Sequence, residues 1–416
     1  MEPSRLSHPT KSPGNDTDSA PRIAPSPMTR LASIDAYRGF VMLLMMGEVL
    51  RFGTMAKNLP QIKLWAFLAH HQEHVPWVGC TLHDLIQPSF SFLVGVALPF
   101  SLMSRAAKGQ SQLHMTLHAF WRAFVLVALG IFLRSSGRDR TNFTFEDTLT
   151  QIGLGYGFLF LLGTRSVRIQ WLALVILLVG YWAAFAVYPL PGPDFDYQSV
   201  GVEPGWSHHA TGLAAHWNKN SNLAWRFDTW FLNLFPRKDP FRFNSGGYAT
   251  LSFLPTLATM ILGLIAGGWL ARVDRGAWVK VLCLIVAGLV SLGAGYALGE
   301  SGLCPVVKRI WTPSWVLFSG GWCFLILALA YAIIDVIGLR LWAFPLIVIG
   351  ANSIAAYLMA HWIEGFLSGS FKTHLGRDVF QVFGPEYEPV VHGAAVLAAM
   401  WLILLWMYRR RIFLRV

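Results

Sequence analysis

The chain has 416 residues, 54% of them hydrophobic and only 13% charged, against roughly 25% charged in an average soluble domain. That balance excludes an ordinary soluble domain and points to lipid as the solvent. The net charge of +11 does not indicate nucleic acid, because the basic residues sit in tails and turns between apolar runs, where Lys and Arg set topology and meet anionic headgroups.

Residues 1–30 are rich in Pro, Ser and polar groups and contain no apolar run. They are expected to form a disordered cytoplasmic tail and not a signal peptide. Residues 31–416 are then expected to form one transmembrane domain. Apolar runs follow near 36–56, 84–104, 115–134, 148–164, 168–188, 248–271, 276–298, 313–335, 340–363 and 388–408; a helix of about 20 residues crosses roughly 30 Å of hydrocarbon. The expected fold is all-α: a polytopic integral membrane helical bundle of about ten transmembrane helices, both termini cytoplasmic.

More Lys and Arg fall on the side of the tails than in the opposite short loops, as the positive-inside rule asks. Arg134, Arg138 and Arg140 run against it. This topology leaves three substantial external segments, 57–83, 188–247 and 364–387. Sites concentrate in loops on a rigid scaffold. The long loop 188–247 holds His208, His209, His216 and several Trp and Asn residues, a composition suited either to stacking on a sugar or to an amphipathic lid on the bilayer. No inverted repeat of the transporter kind is visible.

Polar groups within or beside apolar runs are costly, so each has a functional reading by default. In the first run Asp35 and Arg38 are three residues apart, close enough to pair on one helical face; they form either a cap and anchor or a place where Arg38 meets phosphate. Glu48 lies deeper and needs a partner or a water-filled cavity. Ahead of the second run, HHQEHVPWVGCTLHDL gathers His70, His71, Glu73, His74, His83 and Asp84. A His near neutral pKa takes a proton from an attacking group and a carboxylate orients it, whereas the plain alternatives are a wet interfacial loop and, for Asp84, a helix cap. His70, His71 and His74 have no further ligand set, so no metal is expected.

Arg122, inside the third run, is a candidate partner for a carboxylate or phosphate. A bend is expected at Pro255. In GANSIAAYLMAHW, Asn352, Ser353 and Tyr357 lie mid-membrane, and Asn352 and Tyr357 are placed to face one cavity; helix–helix packing is the plain alternative. Four Cys show no C-x-x-C spacing. Cys80 and Cys304 are both external in this topology and are expected to be able to pair in an oxidising compartment.

Four stretches, RLASIDAYRGF, HVPWVGCTLHDL, GGYATLSFLPTLATMILGLIAG and GANSIAAYLMAHW, together resemble the transmembrane acetyltransferases of the heparan-alpha-glucosaminide N-acetyltransferase type and their bacterial relatives. The H-x-x-W-x-G-x-T-x-x-D-L pattern of the second is the most specific. The resemblance runs from about residue 30 to the C-terminus. It implies cytoplasmic acetyl-CoA as co-substrate with no tightly bound cofactor, an acceptor on the far side, and an essential histidine and aspartate that match His74 and Asp84. Members place an Asn near the outer end of the first helix, where this chain has Glu48 and Val49.

The resulting expectation is a membrane acyltransferase that moves acetyl to an external amino sugar or cell-envelope glycan. Arg38, Asn352, Ser353, Tyr357 and Arg122 are assigned to the donor, and Trp77, Glu48 and His361 to the acceptor. A bacterial inner membrane is the expected location and a homodimer an open possibility. The rival readings are a transporter or flippase of a glycan or lipid precursor, and a non-catalytic relative.

Overall fold

The structure is a computed structural model that describes residues 31–414; the tail 1–30, read above as disordered, lies outside the described residues. Each apolar run is helical. In chain order the α-helices are α1 (Ala32–Met46), α2 (Phe52–Asn58), α3 (Lys63–Gln72), α4 (Ile86–Ala107), α5 (Gln112–Ser135), α6 (Thr148–Gly163), α7 (Val167–Val187), α8 (Leu223–Phe231), α9 (Phe253–Ala271), α10 (Ala277–Glu300), α11 (Pro313–Ala330), α12 (Phe344–Ala351), α13 (Ser353–Leu375) and α14 (Glu388–Arg409). Among the described residues there is no strand, only an isolated antiparallel bridge between Val78 and Val307.

Seven of these helical segments are long and apolar enough to cross a bilayer, and nine if each of two bent pairs is counted as one span. The remaining apolar run, 148–164, forms α6, at 16 residues shorter than the roughly 20 that a span needs. The local signals that start the helices are ordinary caps. Ser111 accepts from the N–H of His114 at the start of α5, Asp147 from Leu149 and Thr150 at α6, and Thr312 from Trp315 at α11, which has Pro313 in its first turn. Pro255 sits in the first turn of α9, where its missing N–H costs no helical bond, so the expected bend is replaced by a helix start.

Packing among the spans relies on small residues, as is general where lipid tails are as apolar as the side chains they meet. A Cβ on Gly95 of α4 would lie 1.9 Å from Met260 O of α9, and one on Gly263 of α9 would lie 1.9 Å from Phe92 O. The first and the second-last apolar runs meet in the same way, through Gly39 against Leu346 O and Gly350 against Asp35 O, each at 1.8 Å from an added Cβ. Larger residues at these four points would force the helices apart.

Two spans are broken. The first turns by 40° between the 3-10 turn Gly47–Leu50 and α2, through Arg51 at φ 51°. The other turns by 72° between α12 and α13. Asn352 occupies that second break, and its place corrects the expectation that it shares a cavity with Tyr357. Its Nδ2 donates to Ile412 O at 2.8 Å and its Oδ1 accepts from Leu414 N at 3.1 Å. The amide is buried and holds the segment that follows α14.

The segment 188–247 is a folded cap. Trp217 is buried there with Tyr181 and Phe185 of α7, Trp77, Val307 and Ile310. Its outer surface is apolar in part, with Trp230 and Leu234 exposed. His216 bonds Tyr188 O through Nδ1, and His209 packs edge-on to Tyr197. The loops 57–83, 188–247 and 301–312 therefore meet at one end of the bundle.

Candidate active site

The loop between α3 and α4 is organised by one carboxylate. Asp84 Oδ2 accepts from the N–H groups of Val75 at 3.2 Å and Thr81 at 3.0 Å, and the Thr81 hydroxyl lies 3.0 Å from the same oxygen. Oδ1 faces His74 Nδ1 at 2.8 Å and Lys308 Nζ at 3.2 Å. Asp84 and Lys308 are both buried, which is tolerable for charges only because they are paired and hydrogen-bonded.

Lys308 comes from the loop between α10 and α11. The Val78–Val307 bridge and the Gly79 N–H to Val306 O bond of 3.1 Å hold that loop against the histidine loop. Arg309 completes the clamp, with Nη2 on Val75 O at 3.1 Å and Nη1 on Gly246 O at 3.0 Å. Three loops distant in sequence are thus tied around one aspartate.

The close approach to a carboxylate assigns the His74 proton to Nδ1, which puts the basic lone pair on Nε2. Burial lowers the pKa of His74, the Asp84 hydrogen bond raises it, and the Lys308 cation, 3.1 and 3.5 Å from the two ring nitrogens, lowers it; the net direction is down. His74 is therefore neutral at lower pH than an ordinary histidine. Lys308 is itself shifted down by burial and held up by Asp84.

His74 and Lys308 line a polar cavity of about 450 Å³, together with Glu48, His83, Tyr357 and His361, and with Arg134, Glu146 and Tyr248 on other walls. Glu48 Oε1 lies 3.0 Å from His83 Nε2, and the His83 ring is 4.7 Å from the His74 ring. Tyr357 and His361 stack at 4.4 Å. Such a chamber has a base, an anion, several donors and room for a sugar-sized group. A larger cavity of about 600 Å³ is almost wholly apolar, lined by Phe40, Phe318, Trp322, Ile333 and Trp342 and reaching Cys80 and Thr81; it lacks His74 and Lys308, so the chemistry belongs to the smaller one.

No family model matches the chain. It is 24% identical to heparan-alpha-glucosaminide N-acetyltransferase of Mus musculus and 25% identical to that of Homo sapiens, in each case over 99% of this chain and 64% of the relative. The chain is a distant relative of these N-acetyltransferases. It spans somewhat less than two thirds of their length.

Of the candidate residues named from the sequence, the structure brings His74 and Asp84 into direct contact and sets His361, Tyr357 and Glu48 around the same chamber. Glu48 has both the partner and the cavity that its position called for. The other candidates lie elsewhere. Trp77 is 1% exposed, with Nε1 donating to Trp217 O at 3.2 Å; it is core beneath the 188–247 cap and not an acceptor contact. Arg122 donates to the Tyr156 hydroxyl at 3.1 Å with its guanidinium over that ring, away from the chamber. Arg38 pairs with Asp35 at 3.3 Å on α1, and Ser353 is half-buried at the start of α13; neither lines the chamber. Cys80 and Cys304 are free thiols, and Cys304 is enclosed in the aromatic core, so the expected bridge is absent.

Sequence reasoning missed Lys308 and Tyr248 and passed over Arg134 as an exception to the charge rule. Only Arg134 had left a local signal. Arg134, which runs against the positive-inside rule in the expected topology, lines the chamber here.

Proposed function

We propose that the chain is a membrane acetyltransferase that takes acetyl from acetyl-CoA supplied on the cytoplasmic side and delivers it to an amino sugar or glycan at the opposite face. The observation that carries this reading is His74, fixed by Asp84 through Nδ1 and lining a polar chamber. The near full-chain similarity to an N-acetyltransferase supports the same reaction class.

In this reading the acceptor amine attacks the thioester carbonyl. A C–N bond forms, the C–S bond breaks, and His74 Nε2 takes the proton from the amine and returns it to the leaving thiolate, so that amide and free thiol are the products. Asp84 keeps the ring in the useful tautomer and stabilises the imidazolium. Lys308 keeps His74 neutral before reaction, and Glu48 with His83 offers an anionic wall to a cationic amino sugar. About ten transmembrane passages with both tails in the cytoplasm would leave His74 on the external side, an orientation that the basic turns at the opposite end support.

The test is mass spectrometry of membranes given isotope-labelled acetyl-CoA and a panel of amino sugars and envelope glycans. An acetylated acceptor that appears with the wild-type chain and not with control membranes is the expected result; unlabelled acceptors throughout would overturn the reading. The two broken spans favour one rival, since discontinuous helices build many transporter sites. Uptake of an acceptor into proteoliposomes without consumption of acetyl-CoA would establish that rival.

A further inference from the structure

The end of the bundle opposite His74 carries a second polar cavity. α4 starts just after the Asp84 turn, and its 22 residues carry the chain about 33 Å to Arg105 and the turn that follows. There the N–H groups of Lys108 and Gln110 donate to Arg105 O at 3.1 and 3.2 Å, and the Ser111 hydroxyl caps α5. The turn folds Arg105 and Lys108 back towards His114 and His118, which are four apart on one face of α5. These four residues, with Gln110 and Ser104, surround about 350 Å³.

The charge in this cavity is one-sided. No carboxylate lines it, and none of the four basic residues takes part in an ion pair among the described residues. By contrast, Arg272 in the α9–α10 turn at the same end is neutralised by Asp274 at 2.7 Å. Beside the cavity the outer face of α5 is an apolar stripe: Leu113, Leu117, Trp121 and Phe124 are 70%, 62%, 63% and 61% exposed. A cationic hollow at the end of a membrane-facing apolar stripe matches a molecule with an anionic head and an acyl tail.

We propose that this cavity binds the phosphate headgroup of an anionic phospholipid, whose acyl chains lie along the α5 stripe. The Arg105 fork takes two phosphate oxygens and Lys108 adds a point charge, while the histidines donate from the opposite wall. A zwitterionic headgroup would bring its own cation into a hollow with nothing to receive it. The stripe distinguishes a lipid from a soluble phosphate, because only a lipid uses both features at once.

Native mass spectrometry of the purified full chain with phosphatidylglycerol or phosphatidylcholine tests this. Retention of phosphatidylglycerol at least about tenfold above phosphatidylcholine is expected, with the Arg105→Gln/Lys108→Gln double variant reduced to the phosphatidylcholine level. A second double variant, His114→Ala/His118→Ala, should lose retention severalfold, so the result does not hang on the folding of one protein; thermal unfolding in detergent checks both. Equal retention of the two lipids, or phosphatidylglycerol retention untouched by both variants, overturns the proposal. Displacement of the lipid by millimolar inorganic phosphate or coenzyme A would assign the cavity to a soluble phosphate and overturn it as well.

Discussion

Asp84 and Asn352 both interrupt apolar sequence with a buried polar side chain, and the structure puts them to different uses. Asn352 meets only backbone: its Nδ2 donates to one carbonyl and its Oδ1 accepts from one N–H, both in the segment after α14. Asp84 also takes backbone N–H groups on one oxygen, but its other oxygen holds two side chains, His74 and Lys308, both of which line a cavity. A polar group bonded only to backbone locks the fold. One that passes its charge on to a half-exposed neighbour can do chemistry.

The comparison is broken most directly at His74. His74→Ala should lower labelled acetyl transfer by about 10²- to 10⁴-fold, the usual worth of a general base, while thermal unfolding of the detergent-solubilised protein stays near wild type because the ring is partly exposed. Undiminished transfer would remove His74 from the mechanism.

Lys308→Met should cost roughly 3–5 kcal/mol of stability, because it strands the buried Asp84 charge; a chemical-unfolding series measures it. The same variant separates the two uses of a buried polar group by pH. Lys308 is one of the influences that lower the His74 pKa, so its removal should raise that pKa. His74 would then be a free base only at higher pH, and the acid limb of the kcat/KM profile should move upward. A variant that is merely misfolded would lose amplitude without moving the limb.

Asn352→Ala should show the opposite signature. It leaves the Leu414 N–H and Ile412 carbonyl to find other partners, at about 1–3 kcal/mol, and should leave the pH profile where it is. Hydrogen exchange at residues 412–414 should rise. If transfer instead collapsed with the stability unchanged, Asn352 would have to be returned to the reacting groups.

Much of the fold is local information. Apolar runs near 20 residues with caps at their ends produce helices wherever they occur, and all ten appear as helices, two of them bent and one short. The His74 and Asp84 pair was legible for a similar reason, since ten residues of loop hold both and a spacing can be read. Composition could not separate Trp77 as an acceptor contact from Trp77 as core. Its burial depends on Trp217, 140 residues away.

Sequence by itself determined that this chain lives in lipid, where its helices run, and which loop carries a base beside an acid. Tertiary structure decided what surrounds that base. Lys308 is 224 residues from Asp84, and nothing in a short basic loop announces which buried carboxylate it will meet. Helix propensity and hydropathy act over neighbours in the chain, whereas the pairing of a buried charge is set by which loops the bundle brings to the same end.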